Sequence, residues 1–377
     1  MKAVILAGGL GTRLRPLTCA VPKPLVPVVN KPLLEYTLQL LKKHGFDDIL
    51  ILLYYRGDSI RDFAGDGGRF GIRISYLENE EDLGTAGSVE SARSCLEQPF
   101  LVISGDTISN FNLEKLADFH RDKKSLLTIV LTRVKDPLEF GITVNSKDGR
   151  IERFLEKPSP EKAFSKVVNT GMYIIDPEVM DYIPHGQKFD FSKDLFPVLL
   201  EKELPLYGYT ASGYWKDVGT INEYLNVHNE ILKGNADFAL SVSCSGTTVR
   251  KKVCSGEKTT ICRDAVFEGK VVIGSNCVIG SSARLRDTVI GNNCIVEESA
   301  SVSRSVIWDN VVIGKKAVLK EMVAGMHCRI GREASIQEKV VIGDGCSIGD
   351  FSILKKSVKI SPGINIEARS EVSNDLP

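Results

Sequence analysis

Residues suited to binding anions follow the first apolar run of the chain. The run at 4–6, VIL, is short and β-prone, and the segment after it, AGGLGTRLRPLT, contains three glycines and two arginines. Glycines let backbone N–H groups approach an anion closely, and a guanidinium can pair with two phosphate oxygens. Lys23 follows between two prolines, which stiffen the backbone around it. The spacing therefore predicts a cradle for phosphate groups.

Two other glycine-rich motifs fit the segment less well. A dinucleotide-binding fold has GxGxxG and an acidic residue at the end of its second strand. Here Leu14 occupies the last glycine position, and the second apolar run ends in Tyr54-Tyr55-Arg56. The P-loop pattern GxxxxGK[ST] is absent. A phosphate cradle and a plain turn with solvated arginines remain.

Composition limits the classes of function. The 377 residues suffice for about two domains, and Lys+Arg equals Asp+Glu at 48 each. A neutral chain is not expected to bind nucleic acid broadly. No apolar stretch approaches the roughly 20 residues that span a bilayer, and the start does not resemble a signal peptide, so we expect a cytoplasmic protein without a membrane partner. The nine cysteines form no CxxC pair and no Cys/His cluster, so we expect reduced thiols rather than disulfides or zinc.

Residues 1–235 alternate apolar runs with helical patterns. One helix is predicted after an Asn30 cap and Pro32, and it should end at Gly45. The alternation predicts a mostly parallel α/β sheet, in which ligands bind beyond the carboxyl ends of the strands, where the glycine segment and Asp106 lie. Four apolar runs are predicted to be strands: 2–7, 47–55, 99–106 and 126–134.

In residues 260–377 an apolar residue, usually Ile or Val, recurs every six positions. A small residue follows the apolar one by four places, which gives Cys277, Cys294 and Cys346 a role as small inward-packing residues. Such hexapeptides predict a parallel β-helix, of the left-handed kind in hexapeptide-repeat proteins, and residues 236–259 are the predicted connection. The clearest run of periodic apolar residues is Ile330, Ile336, Ile342, Ile348, Leu354 and Ile360.

The order of motifs in residues 1–235 resembles the sugar-1-phosphate nucleotidyltransferase family. After AGGLGTRLRPLT and PKPLVPV come LGTAGS, SGD, FLEKP, VNTGMY and YWKDVGT, and a hexapeptide tail is common in the family. The resemblance implies a Rossmann-like mixed, mostly parallel sheet domain followed by a left-handed parallel β-helix. LGTAG and FLEKP resemble the mannose-1-phosphate guanylyltransferase branch. LTRVKDPLEFGI and FDFSKDLFP are similar to bacterial members fused to a phosphomannomutase, so the chain is expected to be a stand-alone relative or the front of a longer protein.

The resemblance implies a reaction of GTP with mannose 1-phosphate that requires Mg²⁺. It assigns Arg13 to the β- and γ-phosphates, Lys23 to the α-phosphate, and Asp106 and Asp217 to the metal, and these four are the predicted catalytic residues. Hard carboxylate oxygens suit Mg²⁺. The implied nucleotide-binding residues are Leu6, Ala7, Gly8, Gly9, Gly11, Thr12, Arg13, Lys23, Gly84, Thr85, Gly87 and Asp106.

The resemblance places the sugar phosphate on the opposite side of the site. Glu156 would bond sugar hydroxyls and Lys157 would contact the sugar phosphate. An acidic residue within 78–82 would accept hydrogen bonds from guanine. The implied sugar-phosphate-binding residues are Gly141, Glu156, Lys157, Asn169 and Asp217.

Several alternatives remain open at the level of sequence. The substrate pair could instead be glucose 1-phosphate with UTP, dTTP or ATP, or the chain could be a non-catalytic nucleotide-sugar-binding regulatory subunit. A role as an assembly scaffold is a third hypothesis, and a homo-oligomer formed through the β-helix is expected. His327 is the one histidine in the repeats. Hexapeptide acyltransferases use a histidine base, so acyl transfer is a further hypothesis.

Overall fold

The computed structural model describes residues 1–235 and 253–377, which form two compact units. The first contains residues 1–10 and 34–217, and the second contains 11–33 and 218–377. Residues 11–33, which include Arg13 and Lys23, therefore belong by their contacts to the unit that contains the repeats. Most of the predicted connection at 236–259 lies outside the described residues, so the domain bounds 1–235 and 260–377 stay a prediction.

Thirteen strands and six α-helices lie within residues 1–235, together with shorter 3₁₀ and π turns. The strands are β1 Lys2–Leu6, β2 Pro27–Val28, β3 Lys31–Pro32, β4 Asp48–Leu53, β5 Arg73–Glu78, β6 Phe100–Ser104, β7 Thr107–Ser109, β8 Leu127–Arg133, β9 Gly141–Asn145, β10 Ile151–Glu156, β11 Val167–Ile175, β12 Leu206–Thr210 and β13 Trp215–Asp217. The helices are α1 Leu33–Lys43, α2 Gly57–Ala64, α3 Gly84–Glu90, α4 Leu113–Asp122, α5 Phe196–Glu201 and α6 Ile221–Lys233.

A nine-stranded mixed sheet forms the centre of the first unit. Its main path is β10-β9-β11-β6-β1-β4-β5, and β8 pairs with β11 and β12. Strand β1 is parallel to β4 and β6, whereas β11 is antiparallel to β6 and β8. All four predicted strands are present as β1, β4, β6 and β8, so the predicted fold class is confirmed. Leu6 pairs with Ser104, so the glycine segment and the SGD turn leave the sheet side by side.

The start of helix α1 differs from the prediction. Residues Lys31–Pro32 form strand β3, which pairs with β2, and the turn between them consists of Val29 and Asn30. Both turn residues have left-handed backbones, with φ of 47° and 62°. Asn30 as an N-cap was therefore wrong, because it forms a tight hairpin turn, which also requires positive φ. The predicted end is confirmed, since the helix stops at Lys43 and Gly45 has φ of 73°.

The repeats form a parallel β-helix, as predicted. Paired residues on neighbouring coils are seventeen or eighteen positions apart, as in Val278 with Ile295 and Val341 with Lys359, so each coil contains about three hexapeptides. Its strands are β14 Val253–Ser255, β15 Thr260–Ile261, β16 Val266–Ile273, β17 Val278–Ile279, β18 Arg284–Ile290, β19 Ile295–Val296, β20 Ser301–Ser303, β21 Val306–Ile307, β22 Val312–Ile313, β23 Val318–Lys320, β24 Val323–Ala324, β25 Arg329–Ile330, β26 Ser335–Ile336, β27 Val341–Ile342, β28 Ser347–Ile348, β29 Ile353–Leu354, β30 Lys359–Ile360, β31 Asn365–Ile366 and β32 Glu371–Val372.

Inward-facing apolar and small residues form the core of the β-helix. The periodic run from Ile330 to Ile360 is buried, and so are Cys277, Cys294 and Cys346, which confirms their predicted packing. The expectation that all thiols are reduced was wrong, because Cys254 is disulfide-bonded. Cys254 belongs to no CxxC pair, so its spacing in the sequence did not indicate this disulfide. The free cysteines among the described residues are Cys19, Cys95, Cys262, Cys277, Cys294, Cys328 and Cys346.

His327 occupies a corner of the β-helix. Asn276, Asn293 and Asn310 stand at the equivalent corner of preceding coils, and all four residues have positive φ. The asparagine side chains form a ladder in which each Nδ2 donates to the next Oδ1 at 3.1 Å. Asn and His are the side chains that tolerate this backbone best. His327 is therefore explained by turn geometry. Within the described ranges, no helix is both long and apolar enough to cross a membrane.

Candidate functional site

Close packing requires glycine at two positions of the first loop. A Cβ at Gly8 would lie 3.0 Å from the Cβ of Tyr54, whereas one at Gly9 would meet nothing within 4 Å. Gly11 has φ of 62°, and a Cβ there would lie 3.1 Å from both Lys23 Cβ and Thr18 Cγ2. The loop backbone therefore passes directly against the residue that carries the predicted α-phosphate cation.

The second unit fixes the backbone around Lys23. Pro22 precedes the short 3₁₀ turn Lys23–Leu25, in which the Val26 N–H donates to the Lys23 carbonyl at 3.1 Å. Thr18 Oγ1 donates to the Gly11 carbonyl at 2.8 Å, which ties the glycine loop to the same segment. Lys23 is buried, and Arg13 is exposed in the turn Thr12–Leu14.

Asp106 and Asp217 lie next to one another in the first unit. Strand β7 pairs antiparallel with β13, and this register puts Asp217 opposite Thr107, the residue after Asp106. Ser104 Oγ donates to Asp106 Oδ1 at 2.5 Å. The register thus brings two carboxylate-bearing residues to neighbouring backbone positions, and Mg²⁺ is commonly bound by one or two carboxylates with phosphates and water. The described residues contain no group of three or more His, Cys, Asp and Glu arranged for a metal.

The LGTAG segment packs on residues 187–191, for which the sequence predicted no role. A Cβ at Gly84 would lie 2.8 Å from the Phe189 carbonyl oxygen, and one at Gly87 would collide with the Gln187 carbonyl. The N–H groups of Ala86 and Gly87 donate to the Phe189 carbonyl at 2.9 and 3.0 Å. The two glycines therefore allow the LGTAG segment to pack closely against residues 187–191 of the same chain. The FDFSKD motif was the available signal for this stretch.

Side chains strengthen the same contact. Thr85 Oγ1 donates to Asp190 Oδ1 at 3.0 Å and accepts from the Phe191 N–H at 3.0 Å. Lys188 forms an ion pair with Asp82, and its hydrogen bond lowers the pKa of that carboxyl. Thr85 is thus held by the chain on both its donor and its acceptor side.

The acidic run 78–82 is partly engaged inside the protein. Glu78 Oε2 accepts from Arg61 Nη2 at 3.0 Å, and Asp82 Oδ1 accepts from the Gly84 N–H at 3.1 Å in addition to the Lys188 ion pair. Glu80 and Glu81 make no side-chain hydrogen bond or ion pair with other described residues, and both are solvent-accessible. The carboxylates of Glu80 and Glu81 are therefore accessible to a hydrogen-bond donor from outside the chain.

Gly141 and Glu156 face one another across the β9–β10 pair. A Cβ at Gly141 would collide with the Phe154 ring and lie 2.7 Å from Glu156 Oε2, so glycine lets both side chains pack against this backbone. Burial raises the pKa of Glu156, while neighbouring Lys157 and a hydrogen bond from Ser192 act in the opposite direction. Lys157 has φ of 43° and an exposed side chain. One half-buried carboxylate and one exposed cation are thus adjacent.

Asn169 is buried and uses its amide mainly within the protein. Its Nδ2 donates to Tyr173 Oη at 3.0 Å and to Ser192 Oγ at 3.3 Å, and its Oδ1 accepts from the Gly171 N–H at 2.9 Å. Ser192, which the sequence analysis missed, therefore contacts both Asn169 and Glu156. Burial raises the pKa of Tyr173, which keeps its hydroxyl protonated.

Comparisons with known proteins give the family of this chain. The family model described as "Nucleotidyl transferase" matches residues 2–234, and the model "EIF2B subunit epsilon LbH domain" matches 250–354. A UTP–glucose-1-phosphate uridylyltransferase of Synechocystis is 36% identical over 73% of this chain and 74% of its own length. A mannose-1-phosphate guanylyltransferase of Mycobacterium tuberculosis is 32% identical, over 77% of this chain and 79% of the relative.

A solved structure is similar as well. The putative glucose-1-phosphate thymidylyltransferase of Bacillus anthracis, in complex with a sucrose, superposes with a TM-score of 0.56 at 28% identity, over 63% of this chain and 97% of its own. The family model covers more than half of the chain, and the glycine loop and the carboxylate pair lie at the ends of adjacent strands in its matched range. The chain therefore belongs to the nucleotidyl transferase family, among the sugar-1-phosphate nucleotidyltransferases.

Proposed function

We propose that this enzyme transfers a guanylyl group from GTP to mannose 1-phosphate and releases pyrophosphate. The observation that carries the chemistry is the placement of Asp106 beside Asp217 at the strand edge where the glycine loop begins. The choice of substrates is supported by LGTAG and FLEKP, and by mannose-1-phosphate guanylyltransferases among the relatives, including one of Arabidopsis thaliana at 34% identity.

The reaction would proceed by direct displacement at phosphorus. A phosphate oxygen of the sugar phosphate forms a bond to the α-phosphorus of GTP. The bond between that phosphorus and the oxygen bridging to the β-phosphate breaks, and pyrophosphate leaves with the electron pair. A phosphate dianion is already a nucleophile near neutral pH, so the protein mainly positions two anions and stabilises charge.

The nucleotide side of the proposed site is built from the first loop. The backbone at Gly8, Gly9, Gly11 and Thr12 would surround the phosphates beyond strand residue Leu6 and Ala7. The exposed Arg13 has the planar fork that binds two phosphate oxygens at once. Lys23, fixed by its proline-bounded turn, would face the α-phosphate and the leaving oxygen. Glu80 or Glu81 would accept from the base.

Asp106 and Asp217 would hold a divalent cation, and we propose Mg²⁺. When bound, such an ion would neutralise charge on the phosphate oxygens. The residues fit such an ion because the β7–β13 pair brings Asp217 opposite the residue after Asp106, and one or two carboxylates with phosphates and water suffice for Mg²⁺.

The sugar side of the proposed site includes Gly141, Glu156, Lys157 and Asn169. Lys157 is exposed and next to a half-buried carboxylate, so its ammonium is available for a phosphate while Glu156 accepts from sugar hydroxyls. Asn169 contributes chiefly by holding Tyr173 and Ser192 in place.

A second candidate function is uridylyl transfer to glucose 1-phosphate. The relative named UTP–glucose-1-phosphate uridylyltransferase has the higher identity of the two bacterial relatives compared above, 36% against 32%. Mannose and glucose differ in the orientation of one hydroxyl, so the base should discriminate between these activities more strongly than the sugar.

A substrate matrix tests the proposal. Pyrophosphate release would be measured with each of four nucleoside triphosphates and with mannose 1-phosphate or glucose 1-phosphate, in the presence of Mg²⁺. We expect the highest kcat/KM for GTP with mannose 1-phosphate. A clear preference for UTP or dTTP with glucose 1-phosphate would favour the second candidate, and no turnover with any pair would contradict both.

A further inference from the structure

Trp308 interrupts a column of glycines in the β-helix. Equivalent positions follow paired residues of the same sheet and are Gly274, Gly291, Gly325 and Gly343, with Ser361 on the coil after them. Trp308 is 2% exposed, so its large ring is buried. The repeat alone therefore does not account for a tryptophan at this position.

The indole connects the β-helix to helix α6 and to strand β2. Trp308 Nε1 donates to Tyr224 Oη at 2.8 Å, and that hydroxyl donates to the Pro27 carbonyl at 2.6 Å. Tyr224 is fully buried. The hydroxyl accepts one hydrogen bond and donates another, and such chains of buried hydrogen bonds reinforce one another.

The β2–β3 hairpin makes two further contacts at its turn. Asn30 Nδ2 donates to the Ile290 carbonyl of the β-helix at 2.8 Å. The Val29 N–H donates to His228 Nδ1 of helix α6 at 3.4 Å. Burial lowers the pKa of His228 to about 3, so its imidazole stays neutral and can accept this bond. A β-branched residue at φ of 47° is unfavourable and needs support from its surroundings.

The hairpin continues directly into the turn that carries Lys23. The Leu33 N–H donates to the Val26 carbonyl at 3.1 Å, and the Val26 N–H donates to the Lys23 carbonyl at 3.1 Å. Only three residues separate Lys23 from Pro27. Displacement of the hairpin would therefore move Lys23.

We propose that the β-helix positions Lys23 for catalysis, with Trp308, Tyr224 and Asn30 as positioning residues. The proposal rests on the proposed function for the role of Lys23 as a catalytic cation. A charge that must meet the leaving pyrophosphate is sensitive to small displacements, because about 1 Å of misplacement can reduce a rate by 10²-fold. The repeat domain thus contributes to the chemistry without supplying a side chain to the substrate.

We call the hydrogen-bonded chain from Trp308 through Tyr224 to Pro27, together with the contact of Asn30 with Ile290, the positioning relay. Four variants test this relay. Trp308→Gly introduces the residue that most other coils have, and Trp308→Phe keeps an aromatic ring but removes the N–H donor. Tyr224→Phe removes the hydroxyl that links Trp308 to Pro27. Asn30→Ala removes the hydrogen bond to the Ile290 carbonyl. We expect kcat to fall roughly tenfold or more in Trp308→Gly and Tyr224→Phe, with KM for either substrate changed less than threefold. Tyr209→Phe, which removes a tyrosine hydroxyl from strand β12, serves as the matched control with unchanged kcat.

Hydrogen exchange supplies a readout that does not depend on activity. Amide exchange of peptides covering 23–33 would be compared between the full-length wild type and each variant. We expect faster exchange there in all four relay variants and wild-type exchange in Tyr209→Phe. Unchanged exchange at 23–33 in variants that fold would overturn the proposal, and so would a loss of activity that follows thermal stability alone.

Failure of the proposed function gives a different result. If the wild type turns over no nucleotide and sugar-phosphate pair, the catalytic assignment of Lys23 fails, and exchange at 23–33 still decides whether the relay positions the segment. If Trp308→Gly does not fold, Tyr224→Phe and Asn30→Ala remain as smaller changes that decide the same question.

Discussion

Gly87 packs against the carbonyl of Gln187 so closely that a Cβ does not fit between them. This contact joins the LGTAG helix to residues 187–191, and the Phe189 carbonyl accepts from two N–H groups of the helix. The glycines of a motif expected to contact nucleotide are thus required by the protein itself. Chain packing alone therefore favours glycine at Gly84 and Gly87, whatever base is bound.

Gly87→Ala should therefore destabilise the fold as well as weaken nucleotide binding. The added methyl group has to displace backbone, which usually lowers the free energy of unfolding by about 1–3 kcal/mol. Chemical denaturation of the variant would measure this. Gly9→Ala is the matched control for stability, because its added Cβ meets no atom within 4 Å. Equal stability of Gly87→Ala and the wild type would contradict the packing.

Asp106→Asn and Asp217→Asn should each remove most of the activity. Each replaces a carboxylate of the adjacent pair by a neutral amide of the same shape, and we expect a loss on the order of 10²–10³ in kcat. Titration calorimetry of GTP in the presence of Mg²⁺ would check whether metal-dependent binding is weakened. Wild-type rates in both variants would place the cation elsewhere.

The two lysines should separate by their kinetic effects. Lys157→Ala leaves the sugar phosphate without its cation, so we expect its KM to rise roughly tenfold or more, with little change in KM for GTP. Lys23→Ala should lower kcat and kcat/KM together, because it removes an interaction that strengthens as pyrophosphate leaves. Steady-state kinetics with each substrate varied in turn would measure both. A raised KM for GTP alone in Lys157→Ala would contradict the assignment of FLEKP to the sugar.

The raised pKa of Glu156 has a consequence for stability. Its ionised form is less favourable in the folded chain than in the unfolded chain, so the penalty is absent below its ordinary pKa of 4.5 and becomes full above the raised folded pKa. Glu156→Gln should therefore raise Tm at pH 7 and leave it unchanged at pH 4. Thermal unfolding at both pH values would test this. A gain that persists at pH 4 would indicate a cause other than ionisation.

Removal of the repeats after residue 235 should affect more than association. We expect a smaller oligomer by sedimentation, since stacked coils commonly mediate assembly. We also expect lower kcat, because the cut removes Trp308, which bonds to Tyr224, and Ile290, whose carbonyl accepts from Asn30 of the hairpin next to Lys23. An unchanged oligomer would show that the β-helix is not the main interface, and unchanged kcat would contradict the positioning relay.

Local patterns predicted much of the fold. Continuous apolar runs marked β1, β4, β6 and β8, because strands covered on both faces are apolar throughout. The period of six predicted the β-helix and the burial of its small cysteines. These features depend on residues close together in the sequence, so a single chain is enough to detect them.

Long-range contacts were harder to predict. Asn30 followed by Pro32 has the local chemistry of a helix start, but the side chain bonds to Ile290, and this tertiary contact decides its conformation. The partner of LGTAG at 187–191 is about a hundred residues away. Trp308 was detectable in principle, because it replaces the glycine that follows the apolar residue on most other coils.

The seventeen- or eighteen-residue spacing between paired coils limits how the length of the repeat domain can change over evolution. Insertion of one hexapeptide before Trp308 would rotate the indole to another face of the solenoid, away from Tyr224. Insertion of a whole coil would keep the face but shift the indole by one layer along the axis, about 4.8 Å. Coils after Trp308 are free of this constraint. Relatives should therefore differ in the number of terminal coils more readily than in the number that precede the tryptophan.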